Sequence, residues 1–444
     1  MAKLVYDETG RLLFTKEMKE EYTLLMPQML PVHFGMLQKL LQNDGYRVEM
    51  LTTNHRGIVD EGLKYVHNDT CYPALLVIGQ LIDAVKHGGY DPHKVGLLIT
   101  QTGGGCRASN YIHLLRKALE KAGMDYIPVV SVNLSGLEKN PGFSLSLPFV
   151  RKAIYAMMYG DLIVNVANQV RPYEVESGAT DAMIEAWSHQ LVSGFEQGKG
   201  MSRKQMRHIF REICRDFASI PVAGEPKIRV GIVGEIYVKF APLGNNNLEA
   251  FLLNEGVEPV VPGLTDFIIF KIFNRVTDVE LYGGKWIKKA ACQAFMRYIE
   301  GCQKDMIEAL EESNRFRAPG TFQDLRKLVH GYLGEGNKMG EGWLLTAEML
   351  ELIHSGTENI VCTQPFGCLP NHIVGKGMIR KLKDEYPKSN IVAIDYDPGA
   401  TKINQENRIK LMLANAKGLS HQETTTSREA QPEFVSQKLA HAHS

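Results

Sequence analysis

Short apolar, β-rich runs that alternate with amphipathic stretches constrain this chain more than any other feature. The series opens at residues 22–26, passes through a helical pattern over 32–43 and reaches a second run at 46–52, which spells β-α-β. A helical stretch over 72–87, a strand at 95–100, a helix opening near Ala108 and a strand at 127–132 continue it. After Pro226 the pattern restarts, with strands at 228–233, 257–261, 359–361 and 391–394 and helical stretches through Leu253 and over 286–313, 370–385 and 401–416. Alternation of this kind predicts an α/β chain of two Rossmann-like, doubly wound domains, joined by helical linker segments.

The boundaries follow from where the alternation stops. Residues 1–144 form the first α/β domain. Residues 145–226 show helical periodicity, with Tyr155, Met158, Leu162 and Val166 in register, and no clear strand, so a linker or lid is expected there. Residues 227–417 form the second α/β domain, and the polar stretch 418–444 reads as a disordered tail. A glycine-rich segment at 331–342 reads as a mobile or ligand-contacting loop. The length of 444 residues exceeds one typical core and fits two or three domains.

Fifty basic residues balance fifty acidic ones, which argues against a general polyanion binder and so against nucleic acid as a partner. The opening residues lack a secretory pattern, and no run of about 18 apolar residues occurs. The expectation is a cytoplasmic protein that does not enter membranes. In that compartment seven cysteines are metal ligands, catalytic groups or buried apolar side chains, and not a disulfide framework.

Four of the seven stand at expected strand-to-helix junctions. Cys71 lies in Asn68-Asp69-Thr70-Cys71-Tyr72-Pro73, and Cys106 follows Gly103, Gly104 and Gly105. Cys362 ends the run Asn359-Ile360-Val361, and Cys368 lies in Phe366-Gly367-Cys368-Leu369-Pro370. Ligands of open α/β sheets collect beyond the carboxyl ends of the strands, so thiols on different loops can meet there. A helix N-terminus behind such a thiol lowers its pKa and favours the thiolate that binds iron. The three glycines let backbone approach a bulky inorganic core. No Lys-Ser/Thr follows them as a phosphate loop requires, which ranks metal above nucleotide. Cys214, Cys292 and Cys302 lie in helical stretches and read as structural.

Other side chains gather around these loops. Glu235, directly after an apolar strand, is a candidate general acid or base and equally a helix cap. Gln364 and Asn371 could donate to cluster sulfurs, and His372 is a candidate proton source. Arg107 suits an anionic substrate or offsets cluster charge. Asn245, Asn246 and Asn247 read first as a turn.

At residues 68–73, 101–109, 234–247 and 362–372 the chain resembles the 2-hydroxyacyl-CoA dehydratase family, most closely its activase-related members. These look like the C-terminal part of large acyl-CoA dehydratase activases. The resemblance spans most of residues 20–416. It implies an oxygen-sensitive iron-sulfur protein with a 4Fe-4S cluster on Cys71, Cys106 and Cys362, which match the family's three cysteines in order and approximate spacing. It implies electrons from a separate ATP-dependent activase, a possible acyl-CoA substrate, and pairing as a homo- or heterodimer. Cys368 departs from that pattern: as a fourth ligand it would suit electron transfer rather than substrate binding. The family's double-cubane relatives imply an alternative, an 8Fe-9S cofactor that reduces small molecules, which would need more thiolates than these four loops offer.

Overall fold

Residues 2–67, 69–100, 105–132 and 138–429 are described by a computed structural model of the chain. Strands β1 (Thr23–Pro27), β2 (Arg47–Leu51), β3 (Val95–Thr100) and β4 (Val129–Val132) form one sheet in the order β2-β1-β3-β4. Strands β5 (Arg229–Gly234), β6 (Glu258–Val260), β7 (Asn359–Pro365) and β8 (Asn390–Tyr396) form a second in the order β6-β5-β7-β8. Every pairing is parallel, so each connection crosses over through helical segments. The molecule has two Rossmann-like α/β domains wound with the same topology.

All eight expected strands are present. Seven keep their ends to within two residues, but β7 runs on to Pro365 and so draws Cys362 and Gln364 inside the strand. A parallel strand covered on both faces is apolar almost throughout, and β7 is buried from Ile360 to Pro365.

The helix Tyr72–His87 joins the domains. Its residues from Tyr72 to Val85 are all buried, the signature of a helix that is apolar all round. Leu75, Leu81 and Ile82 share one core with Val230, Ile232 and Val361 of the second sheet. Each such side chain stabilises the fold by about 1.5–3 kcal/mol relative to exposure. The two domains are therefore not independently cored.

The expected linker is a packed layer. Helices Leu147–Val170, Ala179–Glu196 and Arg203–Ala218 cover the other face of the first sheet, in a core with Leu24, Leu98 and Val130. Ser146 and Ser202 start two of them by accepting the N–H of Phe149 and Gln205 at 3.1 and 3.3 Å. Helices Leu264–Tyr282 and Trp286–Glu312 extend this layer from the second domain. A short helix, Leu344–His354, is buried from Leu344 to Leu350 and carries Glu348 inward. The last helix, Lys402–Glu429, continues past Gly418, where a disordered tail was expected, and residues from 430 onward lie outside the described residues. Among the described residues no helix is long and apolar enough to cross a membrane.

Candidate functional site

Beyond the carboxyl ends of β3, β5 and β7, loops of both domains close on a cavity of about 390 Å³. Cys71, Cys106 and Cys368 line it together. Cys71 stands at the N-cap of the helix Tyr72–His87, Cys106 at the N-cap of the turn Arg107–Asn110, and Cys368 just after β7. Three contacts hold these loops in place. The Tyr72 N–H donates to the Phe366 carbonyl at 2.9 Å, and Arg107 donates to the Asp69 carbonyl at 2.6 Å. Gly367 has φ +75°, and a Cβ there would come within 3.0 Å of the Cys71 Cα, so glycine is required for the two loops to meet.

The thiols sit in a poorly solvated place. Cys71 and Cys368 are 5% and 8% exposed, and Cys106 is half-buried. Burial pushes the Cys71 thiol up to about 11, although the Tyr111 hydroxyl, 2.9 Å from its sulfur, and the Ala74 N–H act in the opposite direction. Burial likewise raises Cys106 and Cys368 against the helical N–H groups of Ala108 and Asn371. The expected thiolate-favouring effect of the helix N-termini is thus present and outweighed by desolvation. Such thiols are neutral at physiological pH and must release a proton, to a base or to water, when they bind a metal.

Two carboxyls share the cavity wall. Glu235 caps the short helix Ile236–Phe240, accepting the Val238 N–H at 2.9 Å. Glu341, from the glycine-rich segment, accepts the Ile236 N–H at 3.0 Å. Burial raises both, and their mutual repulsion raises Glu235 further. A close, desolvated pair of this kind favours a state with one proton between them. Lys271 also lines the cavity and donates to the Gly340 carbonyl at 2.5 Å, and burial lowers its pKa. Gly234 lets β5 deliver Glu235: its φ is +150°, and a Cβ would lie 2.0 Å from the Thr363 Oγ1. With its amide turned to satisfy both ends, Asn371 accepts from the Glu235 N–H at 3.1 Å and donates to the Thr363 carbonyl at 3.3 Å. It supports Glu235 and does not line the cavity.

Cys362 does not join this group. Alternation along β7 sends Val361 to the core shared by the domains and Cys362 to the opposite face, among Val233, Met349, Leu350 and Ile360. It is fully buried, its sulfur accepts from the Gln364 amide at 2.8 Å, and burial raises its thiol to about 12. Gln364 is used inside the strand, and its Oε1 has no partner. His372 is half-buried and outside the cavity lining.

Gly105 lines the cavity under Met339, whose sulfur would be 2.8 Å from a Cβ at that position. Gly103 and Gly104 lie outside the described residues. Asn246 and Asn247 adopt left-handed φ of 58° and 59°, and Asn245 bonds the Lys239 carbonyl and Leu248 N–H, so the asparagine run is a turn. Cys214 and Cys302 are 1% and 0% exposed in helical cores, and Cys292 is half-buried on the helix Trp286–Glu312. Sequence reasoning missed Tyr111, Lys271, Met339 and Glu341. Only the last two carried a signal, their place in the glycine-rich segment.

Among the described residues no three His, Cys, Asp or Glu side chains close on one point as a single metal ion requires. Cys71, Cys106 and Cys368 line one cavity without converging in that way. No protein-family model matches the chain, and no curated protein sequence matches it.

Proposed function

We propose that the chain is an iron-sulfur redox protein of the 2-hydroxyacyl-CoA dehydratase type, holding a 4Fe-4S cluster on Cys71, Cys106 and Cys368. The observation that carries this reading is that thiols from three loops of two domains line one cavity at the carboxyl ends of the strands. The group, when bound, would supply one-electron chemistry at low potential, with electrons from a separate ATP-dependent activase.

The chain's own residues define the rest. The Tyr111 hydroxyl orients the Cys71 sulfur, and Lys271 and Arg107 balance negative charge at the cavity wall. Glu235 and Glu341 hold a proton beside the space a substrate such as an acyl-CoA would enter. Seclusion of Cys362 in the sheet favours three thiol ligands and one iron open to substrate over a fully ligated electron carrier. A double-cubane cofactor fits less well, because Cys214 and Cys302 are locked in helical cores, so further thiolates would have to come from another chain of a homo- or heterodimer.

The test is anaerobic reconstitution followed by iron and sulfide analysis and EPR of the reduced protein. The expected result is a coloured protein with iron and sulfide in equal amounts; a colourless, iron-free product rejects the proposal. Loss of iron in Cys368→Ser with retention in Cys362→Ser fixes the ligand set.

A further inference from the structure

The helices Leu264–Tyr282 and Trp286–Glu312 are joined by a tight turn, with φ of +78° at Gly283 and +151° at Gly284, conformations that call for glycine. Every residue from Glu280 to Lys288 is exposed, so the turn is a projection and not a groove. Its side chains are nonetheless apolar. Tyr282 and Trp286 are 75% and 74% exposed, Ile287 64% and Leu281 54%. Apolar residues exposed singly need no explanation, but four gathered at one tip mark a contact. Behind the tip, Ile287 is followed by Ala291, Ala294 and Tyr298, all exposed and spaced by four and three residues as one helix face requires.

The charge of this face has one sign. Residues 281–299 contain no Asp or Glu, and Lys285, Lys288 and Arg297 are exposed on it. The neighbouring acids are already used: Glu280 pairs with Lys289 at 2.9 Å, and Asp278 with Lys338 and, at 3.8 Å, with Arg275. Whatever covers the face must therefore bring apolar matter and negative charge together. A second copy of the chain would bring the same cations, and like charges would meet. A stable protein partner covers roughly 800 Å² on each side, which a flat face provides and a projecting turn does not. A lipid surface with anionic headgroups needs no matching shape. Trp and Tyr settle at its headgroup level, Ile and Leu reach the acyl boundary, and lysine stems lie along apolar matter with their ammonium groups at the phosphates.

We infer that this turn and the strip behind it, residues 281–298, seat the protein on an anionic lipid surface. The contact is peripheral, since among the described residues no helix is long and apolar enough to cross a membrane. It adjoins the thiol cavity: Lys338, which lines that cavity, holds its ammonium 5.2 Å from the centre of the Tyr282 ring. The surface is thus met beside the glycine-rich segment that closes the cavity. The inference does not rest on the iron-sulfur reading, and its test uses the full chain without a cluster.

Of the three tryptophans, Trp187 and Trp343 are buried, so Trp286 reports the contact. On titration with vesicles of three parts phosphatidylcholine and one part phosphatidylglycerol, its emission should shift to the blue, acrylamide should quench it less, and the protein should float with the lipid. High salt should release most of the protein. Lys285→Gln/Lys288→Gln should weaken binding on the order of 30-fold, the equivalent of about 1 kcal/mol for each cation lost. Ile287→Asp, a surface change that leaves the fold intact, should abolish the blue shift. The inference is overturned by absence of flotation with these vesicles, by equal flotation with phosphatidylcholine alone, or by binding that the variants leave unchanged. Sedimentation velocity without lipid tests the other occupant: a dimer that Ile287→Asp splits into monomers assigns the face to a second copy and overturns the inference as well.

Discussion

The two α/β domains wind their sheets identically and equip their loops differently. The first delivers Cys71 and Cys106 and no buried acid to the shared cavity. The second delivers one thiol, Cys368, together with Glu235, Lys271 and Glu341, and sets Glu348 and Lys239 behind them. One topology thus supplies soft sulfur ligands from one side and proton-holding groups from the other. The common fold fixes where the loops meet, and the loop residues decide what each side contributes.

The sharpest way to break this contrast is to remove thiols from the first domain. Cys71→Ser or Cys106→Ser should cost most of the iron bound after anaerobic reconstitution, measured by iron and sulfide analysis, and normal iron in both variants would end the assignment. On the other side, Lys239→Met leaves Glu348 buried without its cation and should destabilise the fold by about 3–5 kcal/mol in urea unfolding. The double variant Lys239→Met/Glu348→Met should recover most of that loss. If it does not, packing rather than charge pairing holds this region.

A pH-dependent effect comes next. Burial raises the Glu351 carboxyl from 4.5 to about 7. Between those values the folded chain keeps a proton that the unfolded chain has lost. Its stabilising contribution is therefore full below about pH 4.5 and lost as pH rises through 7. Glu351→Gln should remove this slope and exceed the parent's stability above pH 7, by about 3 kcal/mol relative to the two proteins' difference in acid. Parallel stability curves for the two proteins would show that Glu351 is solvated.

Cys362→Ser puts a hydroxyl into an apolar core and should cost about 1–3 kcal/mol without loss of iron. That outcome separates a core thiol from a ligand thiol within the second domain. The smallest effect belongs to Gly105→Ala: the new methyl displaces only the flexible Met339 tip, so stability should change by less than about 1 kcal/mol. Alkylation of Cys106 by a small thiol reagent should quicken as that tip moves off the cavity, and an unchanged rate would show that Met339 does not limit access.

The strands and most of the long helices were legible because their signals are local. Apolar runs of strand length and helical periodicity occur within a few residues of each other, and all eight strands followed from them. The helices Arg56–Tyr65, Leu264–Tyr282, Phe322–Val329 and Leu344–His354 were not among those expected. The helix Leu344–His354 is apolar over most of its length and lacks the polar face that marks a surface helix, so nothing distinguishes it from a buried strand.

At the site, the sequence by itself determined that cysteines beside glycine and proline would stand directly before helical turns, since those residues set backbone direction locally; Cys71, expected after a strand, instead follows the helix Arg56–Tyr65. The sequence set Cys71, Cys106 and Cys362 apart as the core group with Cys368 as a fourth, and the structure brings Cys71, Cys106 and Cys368 to one cavity. Only the tertiary structure decided that Cys362 turns away from them, because one extra stretch of strand converts a loop position into an alternating one, and alternation sends successive side chains to opposite faces. It also decided the protonation of the thiols and acids. That depends on how much water the assembled fold leaves around each group, and burial there comes from residues hundreds of positions apart, which no local pattern encodes.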